Sequence, residues 1–196
     1  AAILHPMVSP AVIEERGALM MERGKGVYVW DASGKQYLEG LAGLWCTSLG
    51  YGNEELAQVA HDQMVNLSFQ HMFNGKSHEP AMLLAEKLKQ IVPVQNVSKV
   101  FFGCSGSDAN DTQVKLIWYY NNALGRPQKK KIISRLRGYH GVTVASGSLT
   151  GLPYAHRDFD LPLPGILHTM CPHYRRHAEP GESEEAFATR CADELE

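Results

Sequence analysis

The sequence has no excess of charge of either sign and no apolar run long enough to cross a bilayer. Its 196 residues include 19 lysines and arginines against 21 aspartates and glutamates, for a formal net charge of −2. The one cationic run, at positions 129–131, precedes a predicted strand and is interpreted as a solvated loop edge. Without a basic stripe, a long apolar segment or a charged-then-apolar leader, neither a nucleic-acid nor a membrane partner is expected.

The sequence is also poor in cysteine. Its four cysteines stand apart at positions 46, 104, 171 and 191, which is not the paired spacing of a disulfide framework. Such cysteines are typical of reduced thiols, and we expect a cytoplasmic protein. His168, Cys171, His173 and His177 crowd together, but their spacing matches no closed zinc pattern. The interpretation is a polar loop, and no metal is predicted.

Two common phosphate-binding signatures are missing from the central turn of the chain, which has neither G-x-G-x-x-G nor the lysine of a triphosphate loop. The turn Ser105-Gly106-Ser107 instead follows the strand-forming segment 100–102 and precedes a helix that Ser107 or Asp108 caps. Unpaired N–H groups at a helix start bind anions. The pattern predicts a phosphate on the backbone of Gly106, Ser107 and Asp108, assisted by serine hydroxyls. An ordinary capped turn is the alternative.

A second strand is predicted over residues 131–137, after a helix that runs to about Leu124 and stops at Gly125. Strand, helix and strand predict a parallel pair in a right-handed βαβ unit. The second strand ends in the turn 138–141, and ligands of such sheets bind beyond the carboxyl ends of the strands. The pattern therefore indicates a phosphorylated ring that stacks on Tyr139. His140 is either a catalytic base or, in the favoured interpretation, a residue that holds the loop.

The rest of the chain alternates between loops, one hairpin and amphipathic helices. Proline at positions 6 and 10 predicts an irregular start over residues 1–23, and residues 26–39 predict a β-hairpin. Residues 41–52 are too rich in glycine for a helix, so Trp45 is interpreted as either a core plug or a pocket wall. Helices are predicted over 53–67, 80–91, 142–149 and 184–196, with a long loop over 151–172.

Inward-facing positions follow from helical periodicity. On the helix after the central turn they are Leu116, Ile117, Tyr120 and Leu124. On the last helix, Phe187, Cys191 and Leu195 form an apolar face that we expect to be exposed in this chain. That helix reaches the last residue without a stop signal, so the chain is expected to be cut.

Four segments, in order along the chain, carry a family resemblance. Residues 106–112 (GSDANDT) resemble the G-S-E-A-N-D-T segment of class III pyridoxal-phosphate-dependent aminotransferases, and residues 139–143 (YHGVT), followed by 148–151, resemble that family's Y-H-G-x-T turn. Residues 26–39 resemble its N-terminal hairpin. Residues 43–46 with 50–52 are similar to the subgroup that acts on ω-amino acids and amines with pyruvate as acceptor.

The resemblance implies an α/β fold of type I with a mainly parallel sheet. Residues 1–52 would belong to the small domain, and residues 53–196 would form the first part of the large cofactor-binding domain. The implied cofactor is pyridoxal 5′-phosphate. Its implied binding residues are Ser105, Gly106, Ser107, Tyr139, His140 and Gly141. The implied substrate pocket, at the interface of a homodimer, contains Trp45, Phe73 and Tyr139.

The implied reaction moves an amino group from an amine or ω-amino acid to pyruvate or a similar keto acid. A decarboxylase or aminomutase of the same fold, a non-catalytic phosphate-binding fragment and a generic nucleotide-binding domain are the alternatives. The family's Schiff-base lysine, pyridine-nitrogen aspartate and carboxylate-binding arginine are expected beyond Glu196, and Lys115 does not replace the lysine. We therefore expect about the N-terminal half of a subunit, inactive alone. Asp108 stands where the family usually has Glu.

Overall fold

The computed structural model describes residues 2–196, which form two compact units with their boundary between residues 86 and 87 of the sequence. We call them the first and the second unit. The predicted domain division after residue 52 stays a prediction, because compact units within this chain do not define the domains of a longer protein. None of the helices in residues 2–196 combines the length and the apolar composition that spanning a membrane requires.

The first unit is built on a three-stranded antiparallel sheet in the order β1-β2-β3. The strands are β1 (Met21–Lys25), β2 (Tyr28–Asp31) and β3 (Gln36–Leu38). The helical elements are α1 (Pro10–Arg16), the single turn α2 (Ala42–Trp45), α3 (Glu54–Leu67), a 3-10 turn (Phe73–Gly75) and α4 (Glu79–Ile91), which begins in this unit.

The predicted hairpin is confirmed, and its turn is fixed by one carboxylate. Asp31 accepts hydrogen bonds from Ser33 N (2.9 Å), Ser33 Oγ (2.6 Å), Lys35 N (3.0 Å) and Tyr37 Oη (2.8 Å). The bonds from Ser33 and Tyr37 favour the charged form and lower the pKa of Asp31 to about 2. The hairpin therefore closes around a buried carboxylate that stays ionised.

Residues 2–9 form no helix or strand, as predicted, but the prediction that proline prevents an early helix in this segment is wrong. Pro10 lies in the first turn of α1, where no intrahelical bond needs its missing N–H, so it begins a helix instead of preventing one. Residues 21–25 form β1 because they pair with β2, including Gly24 with Val29. The cap predicted at Asn53 is confirmed, since its side chain accepts from Leu56 N at 3.0 Å at the start of α3.

The second unit combines helices with a parallel strand pair. Its elements are α5 (Gly106–Ala123), β4 (Ile132–Arg135), α6 (Val144–Leu149), a 3-10 turn (Pro153–Ala155), β5 (Ile166–Thr169), α7 (Tyr174–His177) and α8 (Glu184–Asp193). β4 and β5 pair in register from Ile132 opposite Ile166 to Arg135 opposite Thr169. Gly125, at φ +68°, follows the end of α5 as predicted.

The parallel pair is present, but its predicted membership is wrong. Residues 100–102 are not in a strand, because no described residue provides them with a ladder partner. β4 pairs instead with β5, which lies inside the segment predicted to be a loop. A strand is defined by its partner, and that partner is distant in sequence, so a local pattern does not identify it.

Two predicted burial patterns are also wrong. On α5 the buried residues are Val114 and Asn121, whereas the predicted inward positions Leu116 and Tyr120 are more than half exposed. On α8, Phe187 and Cys191 are buried within the chain. Phe187 meets the ring of Tyr174 edge-on, with 5.7 Å between the ring centroids. The apolar face expected to be exposed is therefore buried within the chain apart from Leu195, and Tyr174 of α7 covers part of it.

Candidate cofactor-binding site

The start of α5 leaves two backbone donors free. Ser105, not Ser107 or Asp108, is the N-cap residue, and its Oγ accepts from Asp108 N at 3.1 Å. Its carbonyl oxygen accepts from Ala109 N at 3.0 Å. Within residues 2–196 the N–H groups of Gly106 and Ser107 donate to no protein atom, and Gly106 is exposed. An 18-residue helix thus presents two free donors at its positive end, which suits an anion.

Asp108 acts on the turn that precedes it. Its Oδ2 accepts from Cys104 N at 3.1 Å, and its carboxylate occupies the space that a side chain on Gly103 would need. Ser105 thus caps the backbone of Asp108 while Asp108 binds the backbone of Cys104, and these two reciprocal bonds fix the conformation of the turn. The carboxylate of Asp108 therefore binds the backbone of its own turn, and the short aspartate side chain is long enough to make this bond.

The turn after β4 is held at both of its ends. Arg137 N donates to Gly151 O at 2.7 Å, and Gly151 N donates to Gly138 O at 2.8 Å. The hydroxyl of Thr150, which is fully buried, accepts from His140 N at 3.0 Å and donates to Gly141 O at the same distance. The backbone from 138 to 141 is thus anchored to the segment that follows α6.

One face of α5 binds this same turn. Val142 N donates to Ser107 Oγ at 3.1 Å, and the side-chain amide of Asn110 donates to His140 O at 2.6 Å. Asp111 Oδ1 accepts from Thr143 Oγ1 and from Ser146 N. The structure therefore brings Ser107 together with the turn that carries Tyr139, His140 and Gly141.

The approach of the two segments requires a glycine. A Cβ at Gly141 would lie 2.6 Å from Ser107 Oγ and would overlap Ser146 Oγ, and the φ of Gly141 is +133°. Any larger residue would push the turn away from the helix start. The helix start with its free N–H groups thus lies against the turn that carries an aromatic side chain, which is compatible with a phosphate at the donors and a flat ring beside the turn.

The predicted stacking residue is accessible. The side chain of Tyr139 is 61% exposed, and within residues 2–196 its ring has no aromatic partner. The ring is thus available to a ligand, and its stacking on a cofactor stays a prediction.

Trp45 and Phe73, the other predicted pocket residues, belong to the first unit. Trp45 is 72% exposed and Phe73 is 76% exposed, so neither is part of the core of the described residues. Trp45 ends a left-handed turn, with positive φ at Ala42, Gly43, Leu44 and Trp45 itself. The core-plug interpretation of Trp45 is therefore wrong for this structure, and its role as a pocket wall stays a prediction.

Sequence reasoning missed Asn110 and Asp111 as site-forming residues. Together with Ser107 they stand at positions i, i+3 and i+4, so they share one face of a helix. This polar stripe is visible in the sequence and could have predicted that both residues face the site. Among residues 2–196 no group of three or more histidine, cysteine, aspartate or glutamate side chains is arranged to hold a metal ion.

Comparison with known proteins places these residues in a family context. The family model described as "Aminotransferase class-III" matches residues 11–196. Gamma-aminobutyrate transaminase 1, mitochondrial, of Oryza sativa subsp. indica is 54% identical over 178 residues, which cover 91% of this chain and 34% of that protein.

Solved structures agree with this match. The ω-transaminase from Pseudomonas jessenii in complex with PMP has a TM-score of 0.96 and 57% identity, covering 98% of this chain and 42% of that one. A thermostable variant of it, with a tryptophan replaced by glycine, was engineered for the synthesis of bulky amines and has the same TM-score and identity. The chain thus spans between 34% and 43% of the length of these relatives.

Proposed function

Because the chain belongs to the class III aminotransferases, we propose that the protein containing it transfers an amino group from an amine or ω-amino acid to pyruvate or a similar keto acid. Class III aminotransferases depend on pyridoxal phosphate, and the fold is that of α/β type I transferases. The observation that supports the proposal is the bond between Ser107, at the start of α5 with its free N–H groups, and Val142 of the turn that carries the exposed Tyr139.

The residues of the junction have distinct roles in this proposal. The N–H groups of Gly106 and Ser107 bind the cofactor phosphate, with the hydroxyls of Ser105 and Ser107 at the same helix start. The ring of Tyr139 packs against the cofactor ring, while His140 and Gly141 give the turn its shape. The chemistry that pyridoxal phosphate supplies when bound is the withdrawal of electrons from the substrate carbon. This chain's residues hold and orient the cofactor for that chemistry.

Trp45 is proposed to limit the size of the amine. Of the three tryptophans, Trp30 packs under the guanidinium of Arg23 (3.8 Å to the ring centroid), and Trp118 donates to Lys130 O at 3.1 Å. Within residues 2–196 the ring of Trp45 has no such partner, and it is largely exposed. The Pseudomonas jessenii variant engineered for bulky amines has lost a tryptophan. That replacement in a relative supports the proposal, and Trp45 is the tryptophan of this chain whose ring is available for such a role.

A homodimer with its sites at the interface is proposed as the assembly. The first unit exposes large apolar side chains that the rest of the subunit or a partner subunit would cover, among them Leu44, Leu49, Val65, Phe69 and Phe73. In this proposal Phe73 reaches the pocket of the partner subunit. Light scattering on the full-length protein tests the assembly, and a monomer would overturn it. A cytoplasmic location is proposed on the ground of the four free cysteines.

The proposed reaction is tested with the full-length protein, pyridoxal phosphate and an amine. Incubation with γ-aminobutyrate or an aromatic amine and pyruvate should form alanine together with the matching aldehyde or ketone. Release of carbon dioxide without alanine would assign a decarboxylase, and migration of the amino group within one substrate would assign an aminomutase. Cofactor binding without any product would leave only the non-catalytic alternative.

A further inference from the structure

The polar face of α5 binds the turn through three side chains, and one of them makes two of the bonds. Asp111 Oδ1 accepts from Thr143 Oγ1 at 2.6 Å and from Ser146 N at 2.8 Å. Ser107 and Asn110 each contribute one bond to the same turn. Asp111 is also the only one of the three that contributes a negative charge, and hydrogen bonds to a charged acceptor are the stronger ones.

The partners of Asp111 form the start of α6. Thr143 is the N-cap residue of α6, and its hydroxyl lies 2.6 Å from Ser146 Oγ, which accepts from Thr143 N at 3.1 Å. Ser146 has no exposed surface. The carboxylate of Asp111 therefore binds the first turn of α6, where a negative charge is favoured by the helix dipole. The turn at 139–143 runs directly into that helix, so its position depends on this contact.

We propose that Asp111 is a positioning residue that sets the distance between the ring-binding turn and the phosphate-binding helix start. The inference rests on the proposed function, since it assigns the two sides of the junction to the ring and the phosphate of one cofactor. Asp111 itself need not touch the cofactor. It fixes Thr143 and Ser146 against α5, so that Tyr139 lies where a ring anchored through its phosphate would reach it.

The inference predicts that Asp111 affects the binding of pyridoxal phosphate but not that of inorganic phosphate, whereas a site made of the helix start alone would bind both without Asp111. Inorganic phosphate needs only the free N–H groups of Gly106 and Ser107, which do not depend on Asp111. Pyridoxal phosphate needs both sides of the junction at once. Loss of Asp111 should therefore weaken the binding of pyridoxal phosphate and leave that of inorganic phosphate unchanged.

The test uses the full-length apo-protein and compares five variants with the wild type, one of them the double variant Asp111→Asn/Thr143→Val. Asp111→Asn keeps the shape but removes the charge, and Thr143→Val removes the hydroxyl that donates to it. Thr143→Ser retains that hydroxyl and is the conservative rescue. Glu182→Gln is the matched stability control, because it breaks the ion pair of Glu182 with Arg190 (2.7 Å) in the same unit without touching the junction. The dissociation constants of pyridoxal phosphate and inorganic phosphate and the melting temperature are measured for each.

The expected result is a dissociation constant for pyridoxal phosphate about tenfold higher in Asp111→Asn and in Thr143→Val, the scale of one charged hydrogen bond. The double variant should bind little more weakly than either single one, because both substitutions act on the same contact between Asp111 and Thr143. Thr143→Ser should bind like the wild type. Glu182→Gln should melt earlier with both dissociation constants unchanged.

Each contrary result has one meaning. If the wild type does not bind pyridoxal phosphate, the proposed function fails. If it binds and Asp111→Asn binds equally well, the inference is overturned. It is also overturned if Asp111→Asn weakens both ligands by the same factor, since Asp111 would then have only a general structural role.

Discussion

Two glycine-containing turns, one in each unit, reach an irregular conformation by different means. The turn at 138–143 is tied down by side chains distant in sequence, such as Asn110 to His140 O and Ser107 to Val142 N. The α2 turn at Ala42–Trp45 is closed by its own backbone, through Trp45 N to Leu41 O at 2.9 Å. The turn at 138–143 is therefore held by side chains from another helix, whereas the α2 turn is held by hydrogen bonds between its own backbone groups.

The energies of the two turns differ accordingly. A left-handed conformation costs about 1–2 kcal/mol for each residue other than glycine. Ala42, Leu44 and Trp45 all adopt it, and the side chains of Leu44 and Trp45 remain more than 60% exposed. Such strain persists where the surroundings impose it and is concentrated at binding sites. The comparison thus separates a junction built for fixed distances from a strained turn that displays a large aromatic side chain.

The largest effect is expected at the fixed junction. Gly141→Ala places a methyl group 2.6 Å from Ser107 Oγ and against Ser146 Oγ. We expect a loss of about 1–3 kcal/mol in the free energy of unfolding, measured with urea, and a weaker binding of pyridoxal phosphate. Gly165→Ala is the control, because Gly165 also has a positive φ (+90°) but no atom within 4 Å of its Cβ position. Equal losses in the two variants would mean that backbone strain, not the crowded junction, decides the result.

The strained turn should respond in substrate choice. Trp45→Ala should change the ratio of kcat/KM between a bulky aromatic amine and γ-aminobutyrate by about tenfold to two-hundredfold, the range of one apolar contact. Because the side chain of Trp45 is 72% exposed, the melting temperature of the variant should differ little from that of the wild type. A lower melting temperature with an unchanged ratio of kcat/KM would show that Trp45 is a core residue and not a pocket wall.

The hairpin of the first unit should lose stability in acid. The pKa of Asp31 is lowered from 3.8 to about 2 by the bonds from Ser33 and Tyr37, so folding favours its charged form. Its contribution to the free energy of unfolding is complete above about pH 4 and is lost as the pH falls towards 2. Asp31→Asn should lower the melting temperature at neutral pH and flatten this part of the profile. The exposed Asp158, changed to Asn, is the control, and a profile that both variants leave equally steep would contradict the assignment.

The smallest effect is a gain in stability at α2. Leu44→Gly removes about 1–2 kcal/mol of left-handed strain and costs about 0.5–1 kcal/mol in backbone entropy. The net result should be a rise of about 0.5–1 kcal/mol in the free energy of unfolding, measured with urea. A fall of that size would show that the exposed leucine side chain makes contacts that outweigh its strain.

The features predicted from the sequence are those that local chemistry decides. The hairpin at 26–39, the cap at Asn53 and the stop at Gly125 each depend on residues a few positions apart, and the structure has all three. The same holds for the exposed helix start at Gly106. Short-range rules suffice there because the partners are neighbours in the chain.

The features that were missed depend on distant partners or on exceptions to a rule. β4 finds its partner 34 residues away, and the bonds of Asp111 span 32 and 35 residues, so no local pattern contains them. The inward face predicted for α5 followed the spacing of leucine and tyrosine. Asn121 is buried instead, and it can be buried because its side-chain amide donates to Ile117 O at 2.9 Å. Pro10 was treated as a breaker, although a helix accepts proline in its first turn.

The parallel pairing of β4 with β5 also sets an order of events during synthesis. Ile132 leaves the ribosome 34 residues before Ile166, its partner in the sheet. At roughly 5–20 residues per second, β4 waits about 2–7 s without a ladder partner. Over the first part of that interval Asp111 on α5 also lacks Thr143 and Ser146. The helix start with its two free donors is thus made well before β5, the strand that pairs with β4.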